Sequence, residues 1–357
     1  MATVNLATKY DPKLDERYKK GSITDAYIGT NYNWEGVNAI KVWTLTAGDL
    51  NDYDNTATSN RFGTPSEVDD ELNTYSLTMK RSFTKTFDAT NVQDQLFVKK
   101  AVAYLKQMWD ERYIPEIDTY RLKTWANGAG LGALNGTALT KTTVMEALLT
   151  AHAALDDMNV PAENRATFVR SDVCVSCKLA AELGHNEAFT SKAIVRGQIG
   201  VINDSPIISV PKSRMPAGVE FIIKYKQSSA DPMKLRMLRA NDNAPGYAGT
   251  LMEGLCRYDS FVLAQKANGI YIYAQSGMCA PLTGDNGTTS AGKVTLACAT
   301  AGSTIKYTVD GSNPKTSATA ANYSAAFTSP AAGTLIRAYA AKSGLINSPI
   351  FELVIAA

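Results

Sequence analysis

The strongest constraint in this sequence is an abrupt fall in charge density near residue 286. The whole chain carries 36 Lys or Arg and 34 Asp or Glu, but its last 72 residues hold only seven of these charges and no tryptophan or histidine. Two folding units with different surfaces explain such a break better than one. A turn-rich segment at 282–287 separates the two parts, so we predict a domain boundary there, with a linker at 280–287.

The tail, residues 288–357, has the pattern of a small β-sandwich. Short runs of β-branched and aromatic residues alternate with turn signals such as DGSNP at 310–314, without a helical period. The sequence TIKYTVDGSNP at 304–314, with IRAYA at 336–340, resembles bacterial immunoglobulin-like modules, such as those appended to chitobiase-type enzymes and phage virion proteins. Strands are predicted at 293–297, 304–309, 334–341 and 351–355.

The first 35 residues form a polar and aromatic arm without a sustained helix or strand period. The arm has apolar side chains but no core of its own, so we expect it to lie against another surface. No basic segment followed by an apolar run opens the sequence, and we expect no secretory signal. No apolar run approaches the length that a membrane helix needs.

A long hairpin with an acidic tip is predicted at 36–88, with strands at 37–46 and 75–87. The residues between the strands include one arginine and seven acids: Arg61, Asp49, Asp52, Asp54, Glu67, Asp69, Asp70 and Glu71. The returning strand carries Lys80, Arg81 and Lys85. A solvated loop is the ordinary interpretation of such a charge run. A connection of about 25 residues in a compact domain is usually functional, however, so these residues are candidate intersubunit contacts.

The remainder of the body has an α+β pattern. A capping box at 90–93 precedes apolar residues at three- and four-residue spacing, which predicts a long amphipathic helix. Pro115 is expected to break or kink this helix before it resumes over 116–126. A second capping box, Thr143 with Glu146, predicts another helix. Strand-like runs follow at 166–169, 207–210, 219–225 and 269–274.

No constellation of residues indicates catalysis or a bound cofactor. Cys174 and Cys177 follow a possible helix start, where a thiol pKa can fall, but no second CxxC motif or βαβ pattern accompanies them. Two core thiols are the better interpretation. His152 and His185 lie in no hydrolase or zinc motif, and the glycines of 128–136 are interpreted as a flexible connection. We predict no enzyme activity, no cofactor and no metal.

In their order, these features resemble the major capsid protein of tailed double-stranded DNA bacteriophages, which has the Hong Kong 97-type fold. The resemblance rests on NVQDQ at 91–95, YIPEIDTYRL at 113–122, VPAENRATFV at 160–169 and IGVINDSPIISVP at 199–211. The first two are similar to the family's spine helix, and the others to the start and a strand pair of its axial domain. The resemblance covers roughly residues 1–279, and none of its motifs is diagnostic alone.

The resemblance implies a division of the chain into seven segments. These are an N-terminal arm at 1–35, the E-loop hairpin at 36–88, the spine helix and peripheral domain at 89–126, the axial domain at 127–250, return strands of the peripheral domain at 251–279, the linker at 280–287, and an immunoglobulin-like surface domain at 288–357.

It also implies a structural protein that self-assembles into the hexamers and pentamers of an icosahedral shell around double-stranded DNA. Portal protein, and scaffold or decoration proteins, would be partners in a virion capsid assembled in the host bacterial cytoplasm, without a membrane. The body has nearly equal numbers of acidic and basic residues, so packaged DNA would adhere weakly and without sequence specificity. About 35 residues precede the hairpin, so we expect a separate scaffold or none, without N-terminal cleavage.

Two alternatives share some of these features. One is a bacterial glycan- or cell-wall-binding protein, or an enzyme, with an accessory sandwich module. It would need a secretion signal and a catalytic pair or an aromatic platform, and the tail offers Tyr307, Tyr323 and Tyr339 without a tryptophan. The other is an encapsulin-like compartment shell, against which the appended sandwich favours a virus. On a virion, glycan or host-surface adhesion is the role expected of that outer domain.

Overall fold

The computed structural model describes residues 21–29, 39–45, 50–56, 58–65, 67–68, 70–88, 101–180, 198–242, 245–246, 248–287 and 292–355. Within these residues the helices are α1 (Ala101–Met108), α2 (Ile114–Gly128), α3 (Val144–Asp157) and α4 (Ser171–Leu179). The strands of the body are β1 (Ala39–Leu45), β2 (Asp70–Ser76), β3 (Met79–Asp88), β4 (Leu131–Leu134), β5 (Arg165–Arg170), β6 (Gln198–Ile202), β7 (Ser205–Val210), β8 (Val219–Tyr225), β9 (Ser229–Ala230), β10 (Met233–Asn241), β11 (Gly249–Tyr258), β12 (Phe261–Val262) and β13 (Ile270–Ala274). Those of the tail are β14 (Leu282–Asp285), β15 (Lys293–Cys298), β16 (Thr304–Thr308), β17 (Ala321–Asn322), β18 (Phe327–Thr328), β19 (Leu335–Ala341) and β20 (Phe351–Val354).

A six-stranded mixed sheet forms the centre of the body, in the order β4-β13-β8-β5-β7-β6. Its central strands carry apolar side chains on both faces, with a few polar ones such as Glu220 and Lys224, and are buried along almost their whole length, because helices cover both sides. Successive residues of β8 alternate between the two layers. Ile222 packs in the cluster that contains α2, whereas Phe221 and Ile223 pack in the cluster that contains α3 and α4. The predicted α+β architecture is confirmed.

The predicted boundary between the axial domain (127–250) and the return strands (251–279) is wrong. Strand β10, from the first of these segments, pairs with β11, and β11 pairs with β3, so the three form a separate sheet. Strand β13, from the second segment, pairs with β4 and β8 inside the central sheet. Burial explains this placement, because β13 has no polar face to turn to solvent.

The predicted hairpin at 36–88 is shorter in the structure. Strands β1 and β2 pair antiparallel, with Ala39 opposite Ser76 and Leu45 opposite Asp70. The expected returning strand at 75–87 divides at Leu77 and Thr78, and its second half, β3, pairs with β11 of the body. The E-loop hairpin therefore ends at Ser76, where contacts with the body redirect the chain.

Helices α1 and α2 are continuous through a π-helical turn at Trp109–Tyr113. Pro115 lies in the first turn of α2, where its missing N–H is tolerated, so the expected break does not interrupt the helical path. The capping box at 90–93 lies outside the described residues. Thr143 does precede α3, but its side chain makes no capping bond and instead accepts a hydrogen bond from Thr140 N, at 3.1 Å.

The tail forms two facing sheets, β14-β15-β18 and β17-β16-β19-β20, around a core of its own, which confirms the predicted sandwich. The predicted linker at 280–287 is wrong. Residues Leu282–Asp285 form β14 and pair with β15, because Leu282 is an apolar residue that the sandwich core buries. The sandwich therefore begins directly after the body, without a spacer.

Candidate intersubunit surface

The tip of the hairpin exposes acidic side chains. Asp52, Asp54, Glu67 and Arg61 are all exposed. Asp54 also orders the tip, because its carboxylate accepts hydrogen bonds from Thr56 N at 2.8 Å and from the Thr56 hydroxyl at 2.6 Å. The other acids are less fully described: Asp49 and Asp69 lie outside the described residues, and Asp70 and Glu71 are described only as backbone of β2.

Large apolar side chains, which the charge pattern of the sequence does not predict, are exposed on the same hairpin. Leu50 is fully exposed and Phe62 is 82% exposed. Tyr53 and Val68 are exposed at the tip, as is Trp43 on β1. The Tyr53 and Phe62 rings meet edge to face, with centroids 5.0 Å apart. Apolar residues within an acidic loop were the signal that could have revealed this surface.

The basic residues Lys80, Arg81 and Lys85 lie on β3, and therefore on the body rather than on the hairpin. All three are exposed, but Arg81 forms an ion pair with Glu116 of α2. Glu116 also accepts a hydrogen bond from the Tyr258 hydroxyl at 3.2 Å. Arg81 is thus held within its own subunit, and Lys80 and Lys85 remain the better candidates for contact with another copy.

The root of the hairpin is fixed by one buried carboxylate. Asp259 Oδ2 accepts hydrogen bonds from Thr78 N at 2.7 Å and from the Thr78 hydroxyl at 2.9 Å. Its Oδ1 accepts from the Tyr120 hydroxyl of α2 at 2.7 Å and from Ser260 N at 2.8 Å. Burial and this hydrogen bond raise the pKa of Tyr120 to about 12. Asp259 thus joins the chain between β2 and β3 to the long helix.

An apolar cluster surrounds the same root. Tyr75 and Leu77 are buried against Ala230 and Leu263, with Phe261 at the edge. The Tyr75 and Phe261 rings lie 5.3 Å apart, and the Tyr75 hydroxyl accepts a hydrogen bond from Ala264 N at 3.3 Å. The hairpin is consequently anchored at its base while its tip is exposed.

Part of the N-terminal arm, within residues 21–29, lies against the body of its own subunit, which supplies the surface that the arm was expected to lie against. The buried carboxylate of Asp118 accepts hydrogen bonds from Ile23 N at 3.1 Å and from the Thr24 hydroxyl at 2.6 Å, and pairs with Arg214 at 2.8 Å. Lys224, buried in β8, donates to Tyr27 O at 2.8 Å. Desolvation lowers the pKa of Lys224 to about 8.

Cys174, Cys177 and His152, the described members of the candidate reactive groups, are all buried. Cys174 and Cys177 are buried in α4, and burial raises the pKa of the Cys177 thiol to about 12, the opposite of activation. His152 is fully buried in α3 without a hydrogen-bond partner on either ring nitrogen, and desolvation lowers its pKa to about 4. His185 lies outside the described residues. Among the described residues, no cluster of His, Cys, Asp and Glu could hold a metal ion.

The sandwich is docked closely on the body. Ile346, between β19 and β20, packs in the core cluster of α2, and its N–H donates to Gly277 O at 2.9 Å. Ile350 N donates to Gly130 O at 2.8 Å. A side chain at Gly132 would meet Ile272 O at 2.5 Å and Pro349 of the sandwich at 3.1 Å. The glycines near 130 therefore permit close packing, and the expected flexible connection is wrong there.

Comparison with solved structures identifies the fold of the body as that of tailed-phage capsid proteins. A chain from Mycobacterium phage Che8 superposes with a TM-score of 0.62 at 12% identity, covering 76% of this chain and 97% of that one. The capsid structure of Cyanophage P-SCSP1u gives a TM-score of 0.58 at 12% identity, covering 75% and 92%. The mature capsid of bacteriophage PhiM1 gives 0.58 at 10% identity, covering 76% and 92%. The predicted Hong Kong 97-type capsid fold is confirmed.

The tail has a separate match. Residues 284–352 match the family model described as the chitobiase/beta-hexosaminidase C-terminal domain, which confirms the immunoglobulin-like interpretation of the sandwich. A search of curated protein sequences gave no significant match to the chain. Within the part of the chain that the structure describes, no helix is both long and apolar enough to span a membrane.

Proposed function

We propose that this chain is the shell-forming subunit of a tailed-phage capsid, a structural protein without enzymatic activity. It assembles into the hexamers and pentamers of an icosahedral shell that encloses double-stranded DNA, in the bacterial cytoplasm and with a portal protein at one vertex. Scaffold or decoration proteins would be further partners. The capsid fold supports this proposal, and the observation that carries it is a hairpin anchored at its root with Leu50 and Phe62 exposed at its tip.

The contact that we assign to the hairpin tip is with a neighbouring copy of the chain. Exposed side chains of this size are normally buried by a partner when they cluster on one element. Asp52 and Glu67 at the tip carry charges opposite to those of Lys80 and Lys85 on β3. Burial of the apolar side chains would supply most of the association free energy, and the charge pairs would set the register.

For the sandwich we propose display on the outer surface of the shell, where it could serve glycan or host-surface adhesion. The match to the C-terminal domain of carbohydrate-active enzymes supports this role. Tyr307, Tyr323 and Phe327 are only partly buried against the sandwich core, with the Tyr307 and Phe327 ring centroids 4.7 Å apart.

The shell function is tested by sedimentation and negative-stain electron microscopy of the expressed full-length protein. We expect shells, tubes or capsomer rings without any added cofactor. A protein that sediments only as a compact monomer at all concentrations would contradict the proposal.

A further inference from the structure

One residue of the body contacts both the hairpin and the sandwich. Ala264 follows β12 and is buried. Its N–H donates to the Tyr75 hydroxyl of the hairpin at 3.3 Å, and its carbonyl accepts from Asn313 Nδ2 of the sandwich at 2.8 Å. These two bonds link residues that are more than 200 positions apart in the sequence.

The sandwich side of this link is held in a fixed orientation. Asn313 is buried, and its Oδ1 accepts a hydrogen bond from Lys315 N at 2.9 Å, which leaves its Nδ2 directed at Ala264. The ammonium group of Lys315 donates to Asn127 O at 3.0 Å and to Ala129 O at 2.7 Å, at the carboxyl end of α2. A cation there is favoured by the helix dipole. Desolvation in this position lowers the pKa of Lys315 to about 7.

The body segment on the hairpin side is equally constrained. Three groups between Asp259 and Ala264 hold the hairpin root. The Asp259 carboxylate accepts a hydrogen bond from Thr78, the Phe261 ring packs against the Tyr75 ring, and Ala264 N donates to the Tyr75 hydroxyl. A shift of this segment therefore moves the root of β2. The tip lies at the far end of β1 and β2, so a small rotation of these strands at the root displaces the tip by a larger distance.

We propose that the sandwich is a positioning domain for the E-loop hairpin, acting through Asn313 and Ala264 on Tyr75. The sandwich thus does more than decorate the body, because it fixes the direction in which the hairpin leaves it. The consequence for shell assembly rests on the proposed function, but the positioning itself is a property of the single subunit.

The test measures hydrogen–deuterium exchange on the full-length, unassembled protein. Asn313→Ala removes the bond to Ala264, and Asn322→Ala, an exposed position on β17, is the matched control. We expect amides of β1 and β2 to exchange roughly five- to tenfold faster in Asn313→Ala, the factor that one hydrogen bond of ordinary net strength gives. The control should leave them unchanged.

A double mutant separates positioning from a general weakening of the sandwich. If the effect passes through Ala264 and Tyr75, Asn313→Ala should change hairpin exchange little in a Tyr75→Phe background, which already lacks the hydroxyl. Asn313→Asp, which keeps the Lys315 contact but lacks the donor, serves if Asn313→Ala does not fold. Unchanged hairpin exchange, or effects that simply add, would overturn the proposal. Faster exchange in a protein that never forms shells would contradict the proposed function and still support positioning.

Discussion

The two ends of the E-loop hairpin differ in almost every physical respect. At the root, Thr78 and Tyr75 are held by buried partners on the body, including the carboxylate of Asp259. At the tip, Leu50, Phe62 and Tyr53 are exposed beside acidic residues. A loop that only connected two strands would not need a root built this firmly. The contrast supports our proposal that the tip contacts another copy of the chain and that the root sets its direction.

The largest effect is expected from breaking the root. Asp259→Ala removes the buried carboxylate that accepts hydrogen bonds from Thr78 and from the half-buried Tyr120 hydroxyl, and we expect a loss of about 1–3 kcal/mol in the free energy of unfolding. Urea denaturation of the full-length protein measures it. Asp242→Ala, which removes an exposed carboxylate bonded to Thr250, should change stability by less than about 0.5 kcal/mol. If the two variants lose the same free energy of unfolding, the Asp259 contacts stabilise the fold no more than an exposed carboxylate does.

A change confined to the body, at His152, should alter stability in acid and leave assembly unchanged. His152 has a folded-state pKa of about 4 against an ordinary 6.5, because burial disfavours its charged form. Between these values the unfolded chain binds a proton that the folded protein does not, so stability falls as pH drops from 6.5 to 4, by up to about 1.4 kcal/mol per pH unit. His152→Leu should lessen this fall without changing assembly at neutral pH.

Chemical denaturation at pH 7.5, 6 and 5 measures the acid effect, and His185→Leu is the matched control as the chain's other histidine. A fall in stability that is as steep in His152→Leu as in the unaltered protein would mean that other groups dominate acid lability. A loss of shells at neutral pH would mean that assembly depends on body packing at α3 as well as on the tip.

The apolar part of the tip is tested by Leu50→Ser with Phe62→Ser. Both side chains are exposed, so the free energy of unfolding should change by less than about 0.5 kcal/mol. Each would be worth about 1.5–3 kcal/mol if it is buried between subunits, so the concentration needed for assembly should rise at least about tenfold. Val354→Ser, at an exposed site on the sandwich, is the control. Light scattering against protein concentration distinguishes the outcomes.

The smallest effect is expected from the tip charges. Asp52→Lys with Glu67→Lys should weaken capsomer joining, since each exposed ion pair is worth about 0–1 kcal/mol. The loss should be greater at low salt, where charges are least screened. Glu163→Lys with Asp157→Lys reverses two exposed body charges as a control. If both double variants assemble alike at every salt concentration, the acidic tip is an ordinary solvated loop.

The sandwich was predictable from the sequence because the patterns that define its strands lie within the strands themselves and in the adjoining turns. Alternating residues and turn signals such as those at 310–314 place the strands to within about a residue, as β16 and β19 show. Even so, β14 was mistaken for a linker, because a four-residue strand with Gly284 in it has the composition of a turn.

The hairpin root was not predictable, because its determinants are distant in the chain. Thr78 and Asp259 are 181 residues apart, and no sequence pattern around either residue predicts that the two are in contact. The exposed tip residues were overlooked for a different reason. A hydrophobic residue in a charged loop is ambiguous until the structure shows whether it is buried.

If the chain assembles as we propose, the hairpin tip becomes buried against a neighbouring copy. Hydroxyl-radical footprinting tests it directly, by comparing the reactivity of Tyr53 and Phe62 in the unassembled protein and in shells, with Val354 on the sandwich as the internal reference. We predict strong protection of both tip residues on assembly and no change at Val354. Shells in which Tyr53 and Phe62 stay as reactive as in the free subunit would contradict the claim.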